Sequence, residues 1–237
     1  MSRKLMILIL AVVFSFATIP LIHAESSNTV DLEADSIEFD SAQGVFNAQG
    51  GVKLTREGAV ITGDRVTYNT KSKEAVITGQ VKVTRQDAVL IAAEVRSYND
   101  NYIVATGEAR LEKGDSVLTG PKIEYWSDKA YSIVTGQARL TMPDGIMTAE
   151  KIEAFNNEDR AVGSGNVHIV SDKRSLDAVA EEAVYYGAKN GQGKIILTGN
   201  ARAVQEGNTL TGDSLTIYLD NKVIDAQGRT KLVITPQ

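Results

Sequence analysis

The side chains that could do chemistry in this chain are few and evenly spread. Downstream of residue 24 there is one histidine, His168. A histidine base needs a nucleophile or a carboxylate held beside it. The carboxylates here recur at near-regular intervals instead of converging: Asp35, Asp64, Glu94, Glu150, Glu181 and Asp213. His168 itself falls in a series of cations, Lys53, Lys82, Arg110, Arg139, Arg202 and Lys231, and reads as a substituted member of an exterior row. The chain has no cysteine, which removes thiolate nucleophiles, disulfides and thiolate metal sites. A single histidine without cysteine is also a poor host for zinc. The sequence therefore predicts no catalytic residue, no metal site, no cofactor and no enzymatic activity.

The elements that position these residues form a repeat. "VITGQVKV" (76–83) returns as "VATGEARL" (104–111), "IVTGQARL" (133–140) and "ILTGNARA" (196–203). The central glycines are Gly50, Gly79, Gly107, Gly136, Gly165, Gly199 and Gly228, at intervals of 29, 28, 29, 29, 34 and 29 residues. Self-similarity at such a period marks a repeat architecture, here seven units with about five extra residues in the sixth. Apolar residues stand two before, two after and four after the glycine, as in Ile77, Val81 and Val83, while the cation stands three after. A helix would merge these rows, whereas alternation with period two gives strands with one apolar and one charged face. A second strand precedes each glycine strand, as in "GDRVTY" (63–68) and "GDSLTIY" (212–218), and the turns between are rich in Asn, Asp and Gly. Two strands and two turns per unit predict about fourteen antiparallel or solenoid-like strands in one all-β domain over 25–237. Each glycine, single and inside a strand, marks a bend or bulge.

The N-terminus sets the compartment. Arg3 and Lys4 precede an uncharged apolar run from Leu5 to Ile22, and Ala24 supplies a small residue before the polar "ESSN". This is the build of a secretory signal peptide over residues 1–24, cleaved after Ala24. The other reading is a retained membrane helix, since the run is just long enough to span a bilayer. Pro20 and Ala24 favour cleavage. The exported chain is acidic and so ill suited to phosphate backbones, which sets nucleic acid aside.

An apolar sheet face must be buried against something, by a sheet folding over itself into a jelly roll or a flattened solenoid. Small residues such as Ala105, Ala109, Ala138 and Gly163 line that face, and Phe and Trp together number six, so the interior is expected to leave a groove for apolar chains. The cationic row is expected outside, solvated and paired across strands with the carboxylate row. Such exposed pairs contribute at most about 1 kcal/mol each. An outer-membrane barrel is excluded, because a lipid-facing cation in nearly every unit would cost about 2–4 kcal/mol each at the midplane.

A signal segment followed by units of the form A-D/E-x-V-x-Y … V-x-T-G-x-V/A-x-V/L, best seen in "ITGDRVTYNTKSKEAVITGQVKV" and "MTAEKIEAFNNEDRAVGSGNVHIV", resembles the OstA-like family. The resemblance runs from about Val30 to Ile234 and implies an open-ended, twisted β-jelly roll in the periplasm. Its apolar interior would shield the acyl chains of lipopolysaccharide in transit from the inner to the outer membrane. It also implies inner- and outer-membrane transport components as partners through edge strands, near Leu32–Phe39 and Lys231–Thr235, and head-to-tail self-association. An inner-membrane-anchored adaptor of the same system, with residues 5–22 retained, is the alternative. By carry-over the lining comprises Ile37, Phe46, Val66, Ile77, Val81, Val83, Ile103, Leu111, Ile123, Val134, Leu140, Ile152, Val167, Ile169, Ile195, Leu197, Leu215, Ile224 and Leu232. Three departures stand out: Arg96 in an apolar slot, Pro121 in the acidic slot, and the irregular sixth unit, where the lipid path is expected to be altered.

Overall fold

The structure, a computed structural model, describes residues 31–56, 58–98, 101–188 and 192–235. The signal segment and its cleavage site lie outside the described residues, and among those described no helix is long and apolar enough to cross a membrane. The fold is all-β. Two short strands, β1 (Asp31–Glu33) and β2 (Ser36–Asp40), precede twelve long ones: β3 (Val45–Arg56), β4 (Ala59–Asn69), β5 (Glu74–Arg85), β6 (Ala88–Tyr98), β7 (Tyr102–Lys113), β8 (Ser116–Trp126), β9 (Tyr131–Met142), β10 (Gly145–Phe155), β11 (Arg160–Ser171), β12 (Leu176–Tyr186), β13 (Lys194–Gln205) and β14 (Asn208–Tyr218). Two short strands, β15 (Ile224–Gln227) and β16 (Lys231–Val233), follow.

All sixteen strands belong to one open antiparallel sheet in which hydrogen-bonded order follows chain order. That decides against a solenoid. β1 and β2 both pair with β3, and β15 and β16 both pair with β14. Each short pair is thus one strand interrupted, giving the fourteen strand positions expected from the repeat. The hairpin turns use the chemistry their residues suggest: Asp40 accepts from the N–H groups of Ala42 and Gln43, and Asn69 from those of Lys71 and Ser72.

Each of the six long glycine strands carries a β-bulge at its motif glycine, and Gly228 falls at the interruption between β15 and β16. Between Thr78↔Arg65 and Lys82↔Thr62, β5 spends one residue more than β4, and Gly79 (φ +86°) and Gln80 (φ +45°) absorb it in left-handed backbone. Gly79 also lies under a carboxylate, because a Cβ there would fall inside the van der Waals radius of the Asp64 side chain. The same packing recurs for Asp35 on Gly50, Glu150 on Gly165, Glu181 on Gly199 and Asp213 on Gly228. In the third copy it is Ala93, not Glu94, that covers Gly107. This moves the expected register of β6 by one residue. Val95 then takes the buried position and Arg96 is exposed, where it pairs with Glu94 at 2.5 Å. Arg96 therefore does not interrupt the apolar row.

By their contacts the residues divide into two units, Met1–Gly114 with Lys122–Lys129 and Asp115–Pro121 with Ala130–Gln237. Each has its own apolar interior.

Candidate apolar interior

In the first unit the expected lining residues Val66, Ile77, Val81, Val83, Ile103 and Ile123 are buried. Phe46 and Leu111 are half-buried, and Phe46 stacks on Phe39 at 4.1 Å between ring centres. Ile37, on the interrupted first strand, is 49% exposed. In the second unit Val134, Leu140, Ile152, Val167, Ile169, Ile195, Leu197 and Leu215 are buried, Ile224 is half-buried and Leu232 is 58% exposed. Leu111 lies on β7; the other exceptions fall on the first three strands and the last two, at the ends of the sheet.

A second set of buried residues escapes the alternation argument: Ile61, Leu90, Leu118, Met147 and Ala178. Each precedes a buried residue by five positions, in Ile61/Val66, Leu90/Val95, Leu118/Ile123, Met147/Ile152 and Ala178/Ala183. An odd spacing places two residues on opposite faces of a regular strand. The bulge on the neighbouring strand reverses the parity of each partner strand at its midpoint, so both halves face inward. The five-residue spacing, repeated in every unit, was the signal available in the sequence.

At two of the small positions on the inner face a neighbouring side chain takes the space. A Cβ on Gly120 would collide with Val134, and one on Gly163 would come within 2.7 Å of the Met147 sulfur. Full burial of aliphatic side chains such as Val81, Ile152, Leu197 and Leu215 stabilises the fold by about 1.5–3 kcal/mol each. An opening of about 490 Å³ lies at the last strands of the second unit, lined by Ala203, Leu210, Ile224, Ala226 and Leu232 with Gln205, Glu206, Asn208, Lys222 and Asp225.

The second unit is folded back on itself. One row of turns joins glycine strands to partner strands and includes Asp144, residues 172–175 and Glu206–Gly207; the other includes Asp159, residues 187–188 and 192–193, and residues 219–223. The rows lie at opposite ends of strands about ten residues long, which straight strands would hold about 33 Å apart. Yet Arg174, placed in the first row by bonds from Gln205 and from Glu206 N–H to the Arg174 and Ser175 carbonyls, donates to the Leu219 carbonyl of the second. Lys222 of the second row likewise pairs with Glu206 of the first. Only strands bent at their bulges allow this.

Outside, the cationic row is a register ladder. In the first unit Lys53↔Thr62↔Lys82↔Ile91↔Arg110 are successive cross-strand partners. The carboxylates stacked on the glycines are not their partners, contrary to expectation. Instead Lys53 pairs with Glu33, Arg110 with Glu112, and His168 with Asp177 at 3.2 Å. Glu150 and Glu181 accept from the side chains of Asn166 and Asn200. His168 thus lies on an outer face, as its slot implies. Nearer the second row of turns, Tyr102 donates to Glu124 and Tyr131 to Glu153. Burial, then the hydrogen bond and charge of Glu124, push the Tyr102 phenol up to about 12. Burial alone would raise Glu124, but Lys122 and Tyr102 donating to it outweigh this and hold it below the usual carboxylate range. Among the described residues no group of three or more His, Cys, Asp or Glu could hold a metal ion.

An open antiparallel repeat with an apolar inner face in each unit defines a class of β protein that encloses apolar surface. The chain belongs to the family described as LptA/(LptD N-terminal domain) lipopolysaccharide transport protein, whose model matches residues 61–160 and 127–223. This is the assignment the OstA-like motifs pointed to. A solved structure, LptH of Pseudomonas aeruginosa, described as the LptA-homologous periplasmic component of the conserved lipopolysaccharide transport device, is 16% identical. The match covers 88% of this chain and 96% of that one, with a TM-score of 0.19. No curated protein matches the chain.

Proposed function

We infer that the protein is a non-enzymatic lipid carrier of the periplasm, exported with cleavage after Ala24. It would shield the acyl chains of lipopolysaccharide within its apolar interior on the way from inner to outer membrane. The observation that carries this reading is the inward row of aliphatic residues that every long strand contributes, from Ile61 and Val81 to Leu197 and Leu215. The ends of the sheet support edge-strand partners in the two membranes and head-to-tail self-association. Ile37 and Phe39 are exposed beside the first edge, and Leu232, Val233 and Ile234 beside the last. Exposed apolar strands of this kind are ready templates for strand addition.

The test is competition. Lipopolysaccharide should bind the purified protein, and its deacylated oligosaccharide should fail to displace it. Equal displacement by the oligosaccharide would place recognition on the sugars and remove the interior from the account. N-terminal sequencing of the exported protein should read Glu25 first; an intact Met1 would make the chain an anchored adaptor.

A further inference from the structure

We propose that the second unit opens along the seam between its two rows of turns, and that Arg174 is the latch that holds the seam shut. This rests on the reading that acyl chains enter the interior. That interior is lined by buried aliphatic side chains such as Ile152, Leu197 and Leu215, so a chain either displaces some of them or parts the two halves of the bent strands.

Arg174 sits where the repeat is broken. The sixth unit has four residues, 172–175, in the turn where its neighbours have two, and seven, 187–193, where most others have four. The first insertion forms a short 3-10 turn, Asp172–Arg174, closed by Ser175 in left-handed backbone. It carries the guanidinium over the seam, where the side chain is 11% exposed. One nitrogen donates to the Leu219 carbonyl and lies 3.4 Å from the Asp144 carboxylate, tying both rows together. Lys222–Glu206 makes a second, solvent-exposed tie two strands along. The charge of Asp144 also reaches Tyr185, on the second-row end of β12, where burial first and then Asp159 and Asp144 raise the phenol.

The closed latch is poorly satisfied. A guanidinium has five donors, and the buried Arg174 Nε finds no acceptor among the described residues. A desolvated charge so partly compensated is costly, while opening returns it to water. The closed and open seams therefore differ by little, which is the condition for a two-state element that a ligand can bias.

The absence of native cysteine makes the test clean. Glu206→Cys and Lys222→Cys, bridged by a short bismaleimide, should close the seam, and a long-chain fluorescent fatty acid serves as probe. The bridged protein should load the probe at least tenfold more slowly than the same variant unbridged. Arg174→Ala and Asp144→Asn should each load faster, by about tenfold for Arg174→Ala, as loss of a charge-assisted hydrogen bond implies. Equal loading with and without the bridge overturns the proposal, since the chain then enters from an end. Amide hydrogen exchange without probe separates the two readings. Faster exchange at 172–175 and 219–223 in Arg174→Ala supports a latch even if no variant binds the probe, an outcome that would count against the lipid interior alone. Unchanged exchange there overturns the latch.

Discussion

At the scale of single residues, the motif glycine answers to two constraints. Gly79 occupies left-handed backbone and its α-carbon is covered by the Asp64 carboxylate. Gly79→Ala should destabilise the protein by about 1–3 kcal/mol, from the left-handed conformation and the clash together. In an Asp64→Gly background, which also removes the Asp64 Cβ that a Cβ at 79 would meet at 2.5 Å, only the conformational part, about 1–2 kcal/mol, should remain; denaturant midpoints of the three variants give the split. Tyr102 makes a prediction in pH. Its folded-state value, about 12, lies above the ordinary 10.0, so its contribution is complete below pH 10 and is lost as pH rises toward 12. Tyr102→Phe should remove the tyrosinate absorbance step near 12, and an unchanged step there would assign it to another tyrosine.

At the scale of elements, the strands were legible because alternation about each glycine is repeated seven times. Their number and the outward place of Lys82 and His168 follow from that pattern alone. The sequence could not display the cross-strand consequence of the bulge. An extra residue on β5 changes which face β4 presents, and that is a property of the pair, not of either strand. Hence the alternation points to Val66 and not to Ile61, and it places β6 one residue out of register. The place of the carboxylate row is hidden for the same reason, since its members pack on glycines three positions before the cations. The corrected register predicts that Val95→Asp, burying an unpaired charge, costs about 3 kcal/mol or more, whereas Arg96→Gln stays within about 0.5 kcal/mol. Thermal unfolding of the two variants decides between the registers, because the reverse order would restore Arg96 to the interior.

At the scale of the whole molecule, no single unit can bury its inner face. Each strand supplies a rung that its neighbours complete, so function belongs to the series and mutations at one rung should be graded rather than abolishing. Irregularity then carries information. The sixth unit departs from the repeat where the second unit's seam is tied, and the first and last strands depart where an edge is left open. Residues Val81 and Lys82 decide whether the lipid runs through the interior. They are adjacent in sequence, the first fully buried and the second exposed. With a photo-reactive amino acid placed at each position in living cells, lipopolysaccharide should crosslink strongly at 81 and weakly at 82. Crosslinking at 82 equal to or above that at 81 would contradict an interior path for the lipid.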